Sequence, residues 1–128
     1  MKYRYEHLDV QTARLRTSVE YIRNHLDDDL SLKELAGRVE MSTYQFVRMF
    51  REGTGIPPHQ YILRERIAMA KKMLTDPNCP IADIAAQLRF ADQSHFGSVF
   101  KRLVGATPLS FRNRAIAGAV LHGRASGE

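Results

Sequence analysis

The chain has 128 residues, 44% of them hydrophobic and 26% charged, and its 19 lysines and arginines against 14 acidic residues leave a formal net charge of +5. That composition suffices for one domain of ordinary size, or two very small lobes on a shared framework, and it draws the molecule towards polyanions. A lone cysteine, Cys79, excludes an internal disulfide, no apolar run approaches the ~20 residues of a membrane helix, and "MKYRYEHLDV" lacks a signal-peptide core, so the chain reads as a bacterial cytoplasmic protein with no membrane partner.

Leu8, Leu15, Val19, Ile22 and Leu26 recur at helical spacing, which predicts an amphipathic helix over residues 9–26, ended by the aspartates at 27–29. Ser31 then caps a helix from Leu32 to about Val39, with Glu34 three residues on to reach back to the cap amide. Ser42 and Gln45 repeat the device at the start of the next helix, for which Gly53 and Gly55 are the predicted stop. Pro58 opens a long helix to Leu74, with apolar positions at Tyr61, Ile62, Ala68, Ala70, Met73 and Leu74. "TDPNCP" breaks the chain, and Pro80 opens a further helix.

An internal repeat organises these elements. A shift of 49 lays Leu32, Leu35, Ala36, Val39 and Met41 on Ile81, Ile84, Ala85, Leu88 and Phe90. With one residue more in the turn, a shift of 50 lays Phe46, Met49, Phe50, Arg51, Gly55, Pro58 and Tyr61 on Phe96, Val99, Phe100, Lys101, Gly105, Pro108 and Phe111. Two copies of one unit, each a short helix, a tight turn and a second helix, are therefore predicted on either side of the long helix. Ala36 and Ala85 stand where a small side chain lets the paired helices cross closely.

On a helical projection Phe46, Met49 and Phe50 share one face of the first unit's second helix, opposite Tyr44, Val47, Arg48 and Arg51. In the second unit Phe96, Val99, Phe100 and Leu103 face inward and Ser94, Gly97, Ser98 and Lys101 outward. A major groove admits one α-helix, so the outer faces are candidates to enter it. Arg48 can pair with guanine O6 and N7 or hold a phosphate, Tyr44 lies near the helix start where base edges are met, and Val47 offers a contact to a thymine methyl. Gln93, Ser94, His95 and Ser98 are the base-edge candidates of the second helix, while Thr43, Arg51, Lys101 and Arg102 suit phosphates. Ser94 and Ser98 specify little, so the first unit is expected to dominate discrimination and the second to add backbone affinity and a response to DNA shape.

"SLKELA", "MSTYQFVRMFREGTGIPPHQYILRERIAMAKKML" and "IADIAAQLRFADQSHFGSVFKRLVGATPLSFR" together resemble the DNA-binding domain of the AraC/XylS family of bacterial transcriptional regulators, from about Val19 to Asn113. The resemblance implies an all-α fold of about seven helices with two homeodomain-like helix-turn-helix lobes held by a central helix. Its recognition helices, here about Thr43 to Glu52 and Asp92 to Leu103, would enter successive major-groove segments of double-stranded DNA, often with bending. Family base contacts fall on positions matching Tyr44, Val47, Arg48, Ser94, His95 and Ser98. Most members activate transcription through RNA polymerase, an implied partner.

On this basis residues 1–18 form an extension or linker helix, 19–56 the first lobe, 57–75 the connecting helix, 76–115 the second lobe and 116–128 a flexible Gly/Ala-rich tail. The sequence departs from the family at Ser98, often arginine, at Val47, often polar, and at Arg89, where glycine is usual and a positive φ would strain any other residue. The chain is either a small stand-alone regulator or the DNA-binding piece of a longer protein that carries a sensing domain for an effector; monomer and dimer are both open. The rivals are weaker. Five scattered histidines and Cys79 before a proline make no metal, cofactor or catalytic set, so an enzyme is not expected. A protein-binding scaffold would differ from a DNA binder in lacking a steep salt dependence.

Overall fold

The computed structural model describes the backbone of residues 2–126 and the side chains of residues 10–119. Seven α-helices and no strand occur among them: α1 (Lys2–Asn24), α2 (Leu32–Arg38), α3 (Thr43–Thr54), α4 (Pro58–Leu74), α5 (Ile81–Gln87), α6 (Gln93–Val104) and α7 (Pro108–Ser126). The all-α expectation holds. The chain divides into two units, Met1–Glu65 and Arg66–Glu128, the division falling inside α4.

In the first unit Ile22, Leu26, Leu35, Ala36, Val39, Phe46, Met49, Phe50 and Ile62 are buried. Phe50 stacks between Phe46, 5.7 Å away, and the edge of Tyr61 at 5.3 Å. Burial raises the Tyr61 pKa above its ordinary value, helped by the neighbouring Glu65 carboxylate. The second unit repeats the scheme with Ile84, Ala85, Leu88, Phe90, Phe96, Val99 and Phe100, and Phe100 stacks against Phe96 at 5.7 Å and Phe111 at 5.6 Å. The fully buried phenylalanine pairs, each side chain removing ~2–3 kcal/mol of apolar exposure, fix one face of α3 and of α6 inward.

The turn inside each unit has one construction. Met41 N–H donates to the Ala36 carbonyl at 3.0 Å and Glu40 N–H to Gly37 at 3.2 Å; Phe90 N–H donates to Ala85 at 3.0 Å and Arg89 N–H to Ala86 at 3.1 Å. These paired bonds form the Schellman closure of a helix C-terminus, which needs a left-handed residue at its corner. Glu40 (φ 57°) and Arg89 (φ 65°) occupy that corner in place of glycine, so both turns carry backbone strain. Gly55 (φ 85°) and Gly105 (φ 91°) end α3 and α6 in the same conformation without it.

Several expectations need correction. α1 starts at Lys2 rather than residue 9, since residues 2–8 include helix formers and no breaker. It stops at Asn24, before the aspartates: His25 N–H turns back to Ile22, and the imidazole Nδ1–H donates to the Tyr21 carbonyl at 2.7 Å. The expected side chain at Leu8 lies outside the described residues. Gly53 is not a stop. It lies within α3, where an added Cβ would stand 2.2 Å from Leu15 Cδ2, so it marks a close approach of α1 to α3. In α4, Ile67, Ala70 and Leu74 form an i, i+3, i+7 stripe, and Ala68, about 100° away from Ile67, is exposed. Leu103, in the last turn of α6, is 39% exposed rather than inward, for a helical projection gives the face a residue is on and not how far along the helix the packing reaches. At Ser31 the cap accepts from Glu34 N–H at 3.1 Å, but the Glu34 carboxylate turns to Arg38 instead of the cap amide. Residues 116–126 continue α7 as helix, with no proline to interrupt them.

Candidate nucleic-acid interface

The start of α3 is held by a complete capping box. Ser42 Oγ accepts from Gln45 N–H at 3.2 Å, and Gln45 Oε1 accepts from Ser42 N–H at 3.0 Å. This fixes where the first turn begins, and with Phe46 and Phe50 wholly buried it fixes the rotation of the helix about its axis. The opposite ridge is thereby committed to solvent.

On that ridge Tyr44 is 75% exposed and the Arg48 side chain 69% exposed, with Thr43 and Arg51 also outward. Val47 is half-buried and presents a flank. Tyr44, Val47, Arg48, Arg51 and Glu52 border one shallow depression of about 350 Å³. The structure therefore brings together the four residues the sequence singled out on this face. It also adds Glu52, whose carboxylate Oε1 accepts from Arg48 Nε at 3.1 Å. The signal for that pair in the sequence is the i, i+4 spacing of opposite charges.

On α6 the cap is Asp92, whose Oδ1 accepts from His95 N–H at 2.7 Å. Gln93, Ser94, His95 and Ser98 are exposed, as are Lys101 and Arg102. The His95 ring packs 5.6 Å from Phe90, which anchors its base against the turn while leaving an edge in solvent. Gly97 is half-buried, and an added Cβ there would meet nothing within 4 Å. The surface of α6 thus sets the longer Gln93 and His95 beside the short Ser94 and Ser98 near its start and cations near its end.

Arg112 carries no periodic or motif signal that marks its role. It is buried in the second unit, where Nε donates to the Leu74 carbonyl at 3.0 Å and Nη2 to the Cys79 carbonyl. These bonds tie α7 to the end of α4 and hold the frame on which α6 rests. Cys79 itself is a half-buried turn residue. Among the described residues no cluster of His, Cys, Asp and Glu could hold a metal ion, and no helix is long and apolar enough to cross a membrane.

Residues 35–114 match the family described as "Helix-turn-helix domain". The chain is 34% identical over 100 residues to the arabinose operon regulatory protein of Escherichia coli, covering 77% of this chain and 34% of that one. It is 30% identical over 112 residues to the HTH-type transcriptional activator AarP of Providencia stuartii, covering 88% and 83%. Among solved structures it is similar to the DNA-binding domain of AdpA, a global transcriptional factor crystallised with a target DNA, at 27% identity and a TM-score of 0.76 over 80% of this chain and 93% of that one. The chain spans little more than a third of the length of several curated relatives it matches.

Proposed function

Because the chain belongs to the AraC family of helix-turn-helix transcriptional regulators, we propose that it binds double-stranded DNA sequence-specifically through α3 and α6 and so regulates transcription. The observation that carries this reading is the division of α3 into a wholly buried aromatic face and an opposite ridge of Tyr44, Arg48 and Arg51 in solvent. A helix held so firmly on one side can present the other to base edges without reorganising, and the net charge of +5 favours the encounter.

In this reading Arg48 reaches a guanine edge, Tyr44 and Val47 contact neighbouring bases, and Thr43 and Arg51 meet the flanking phosphates. On α6, Gln93, Ser94, His95 and Ser98 stand towards the bases, and Lys101 and Arg102 hold the backbone. The family supports two successive major-groove segments as the target, activation through RNA polymerase as the outcome, the cytoplasm as the place, and a sensing function on other sequence as the control. No catalytic step is required of any residue.

Selection of bound duplexes from a random pool tests the proposal. Two blocks of sequence information one helical turn apart, roughly 10 base pairs centre to centre, would support reading by both helices. Arg48→Ala should cost about 1–3 kcal/mol and relax the preference at one base pair. A uniform loss on all sequences would instead assign Arg48 to a phosphate, and affinity indifferent to salt would overturn duplex binding itself.

A further inference from the structure

Arg48 can in principle serve either a guanine or a phosphate, and something on the helix must bias the choice. Glu52 stands one turn further along α3, both side chains are mostly exposed (69% and 62%), and its Oε1 accepts from Arg48 Nε at 3.1 Å. Resting on the reading of α3 as the groove helix, we infer that Glu52 is a positioning residue that sets Arg48 to read a base.

A guanidinium carries five donors in one rigid plane. With Nε taken by the carboxylate, the terminal pair of Nη groups is what the side chain offers outward. That pair forms the fork that matches the O6 and N7 acceptors of guanine. The carboxylate also acts on the alternative. A phosphate approaching Arg48 meets the negative charge of Glu52 beside it, whereas a guanine edge presents two neutral acceptors and no such repulsion.

The pair has little else to do, because an exposed i, i+4 ion pair adds only a small amount to helix stability. The second unit supplies the contrast. A shift of 50 carries Arg48 and Glu52 onto Ser98 and Arg102, so the same two places on α6 hold a short hydroxyl and a cation. A helix built to grip the backbone suits that second arrangement; a helix built to discriminate suits the first.

The test uses the full chain and a duplex recovered from the random pool by the unaltered protein. Dissociation constants are measured for that duplex, its single-pair variants and an unrelated duplex, with the unaltered chain, E52Q, R48A and the double variant, helicity being checked by circular dichroism. We expect E52Q to reduce discrimination at the pair governed by Arg48 about two- to fivefold, the scale of an exposed ion pair. It should also bind the unrelated duplex more tightly and change discrimination no further once Arg48 is absent. Unaltered discrimination in E52Q, or an equal loss with and without Arg48, would overturn the inference. R48A that keeps every base preference while still binding duplex would remove Arg48 as a reader and Glu52 with it. Failure of the unaltered chain to recover any duplex would overturn the DNA reading on which both rest.

Discussion

Arg112→Ala removes the guanidinium that joins α7 to the end of α4 in the second unit. Two carbonyls, those of Leu74 and Cys79, lose a charged donor together, and the Leu74 carbonyl belongs to a helix terminus with no intrahelical partner to replace it. A hydrogen bond to a charged group is worth ~1.5–3 kcal/mol, so two of them set an upper scale of ~3–6 kcal/mol. Relief of burying the guanidinium, together with water reaching the freed carbonyls, offsets part of this, leaving a loss of about 3–4 kcal/mol. Set against a typical domain stability of ~5–15 kcal/mol, that is large. Arg112→Lys keeps the charge without the planar fork and should lose about half as much. Urea unfolding followed by far-ultraviolet circular dichroism reads both, with the midpoint falling and the slope unchanged. A loss below ~1 kcal/mol for the alanine variant, or none for lysine, would refute the view that two simultaneous bonds anchor α7.

Glu40→Gly relieves a left-handed residue at ~1–2 kcal/mol and adds ~0.5–1 kcal/mol of backbone entropy cost, for a net gain of about 0.5–1 kcal/mol in the same unfolding assay; destabilisation would show that the corner is not strained. Gly97→Ala should raise stability by about 0.5–1 kcal/mol, since the added methyl meets nothing and α6 gains a better helix former. The same methyl stands on the surface assigned to DNA, so affinity for the selected duplex should fall while stability rises; a parallel rise in both would move Gly97 off the interface. Lys101→Ala should weaken binding to all sequences alike and flatten the logarithmic salt dependence by about one, and an unchanged slope would remove Lys101 from the phosphate contacts.

The repeat was legible in sequence because its signals are chemical rather than statistical. Buried aromatics at Phe46, Phe50, Phe96 and Phe100, stop glycines at Gly55 and Gly105, and prolines opening α4 and α7 each require one residue type at one place. Much of what escaped depends on a partner distant along the chain. Gly53 reads as a helix stop until Leu15 is seen against it. Leu103 reads as core from its place on the projection, yet in the last turn of α6 it is 39% exposed. Arg112 reads as one more cation until its two carbonyl acceptors, 38 and 33 residues away, are known. The outer faces of α3 and α6 followed from periodicity alone, and the i, i+4 spacing of Arg48 and Glu52 marks that pair, while the choice of Nε as its donor needed side-chain geometry.

The positions at which the two units differ bear on how the labour is divided between them. Under the shift of 50 the core pairs are conservative, yet Tyr44 faces Ser94, Arg48 faces Ser98, Glu52 faces Arg102 and Ile62 faces Arg112. The first three lie on the exposed ridge of α3 and α6, and each exchange removes either reach or a carboxylate from the second helix. The fourth lies inside, where an apolar side chain in the first unit gives way to a buried guanidinium tied to the backbone in the second. A reading helix gains from long, preset side chains on a frame held by apolar packing. A gripping helix needs cations at its surface and a frame that does not shift when phosphates pull on it. On the proposed reading of the ridge, the exchange at 62 and 112 belongs with those on the surface: both suit a second unit that holds the backbone and an α3 that discriminates.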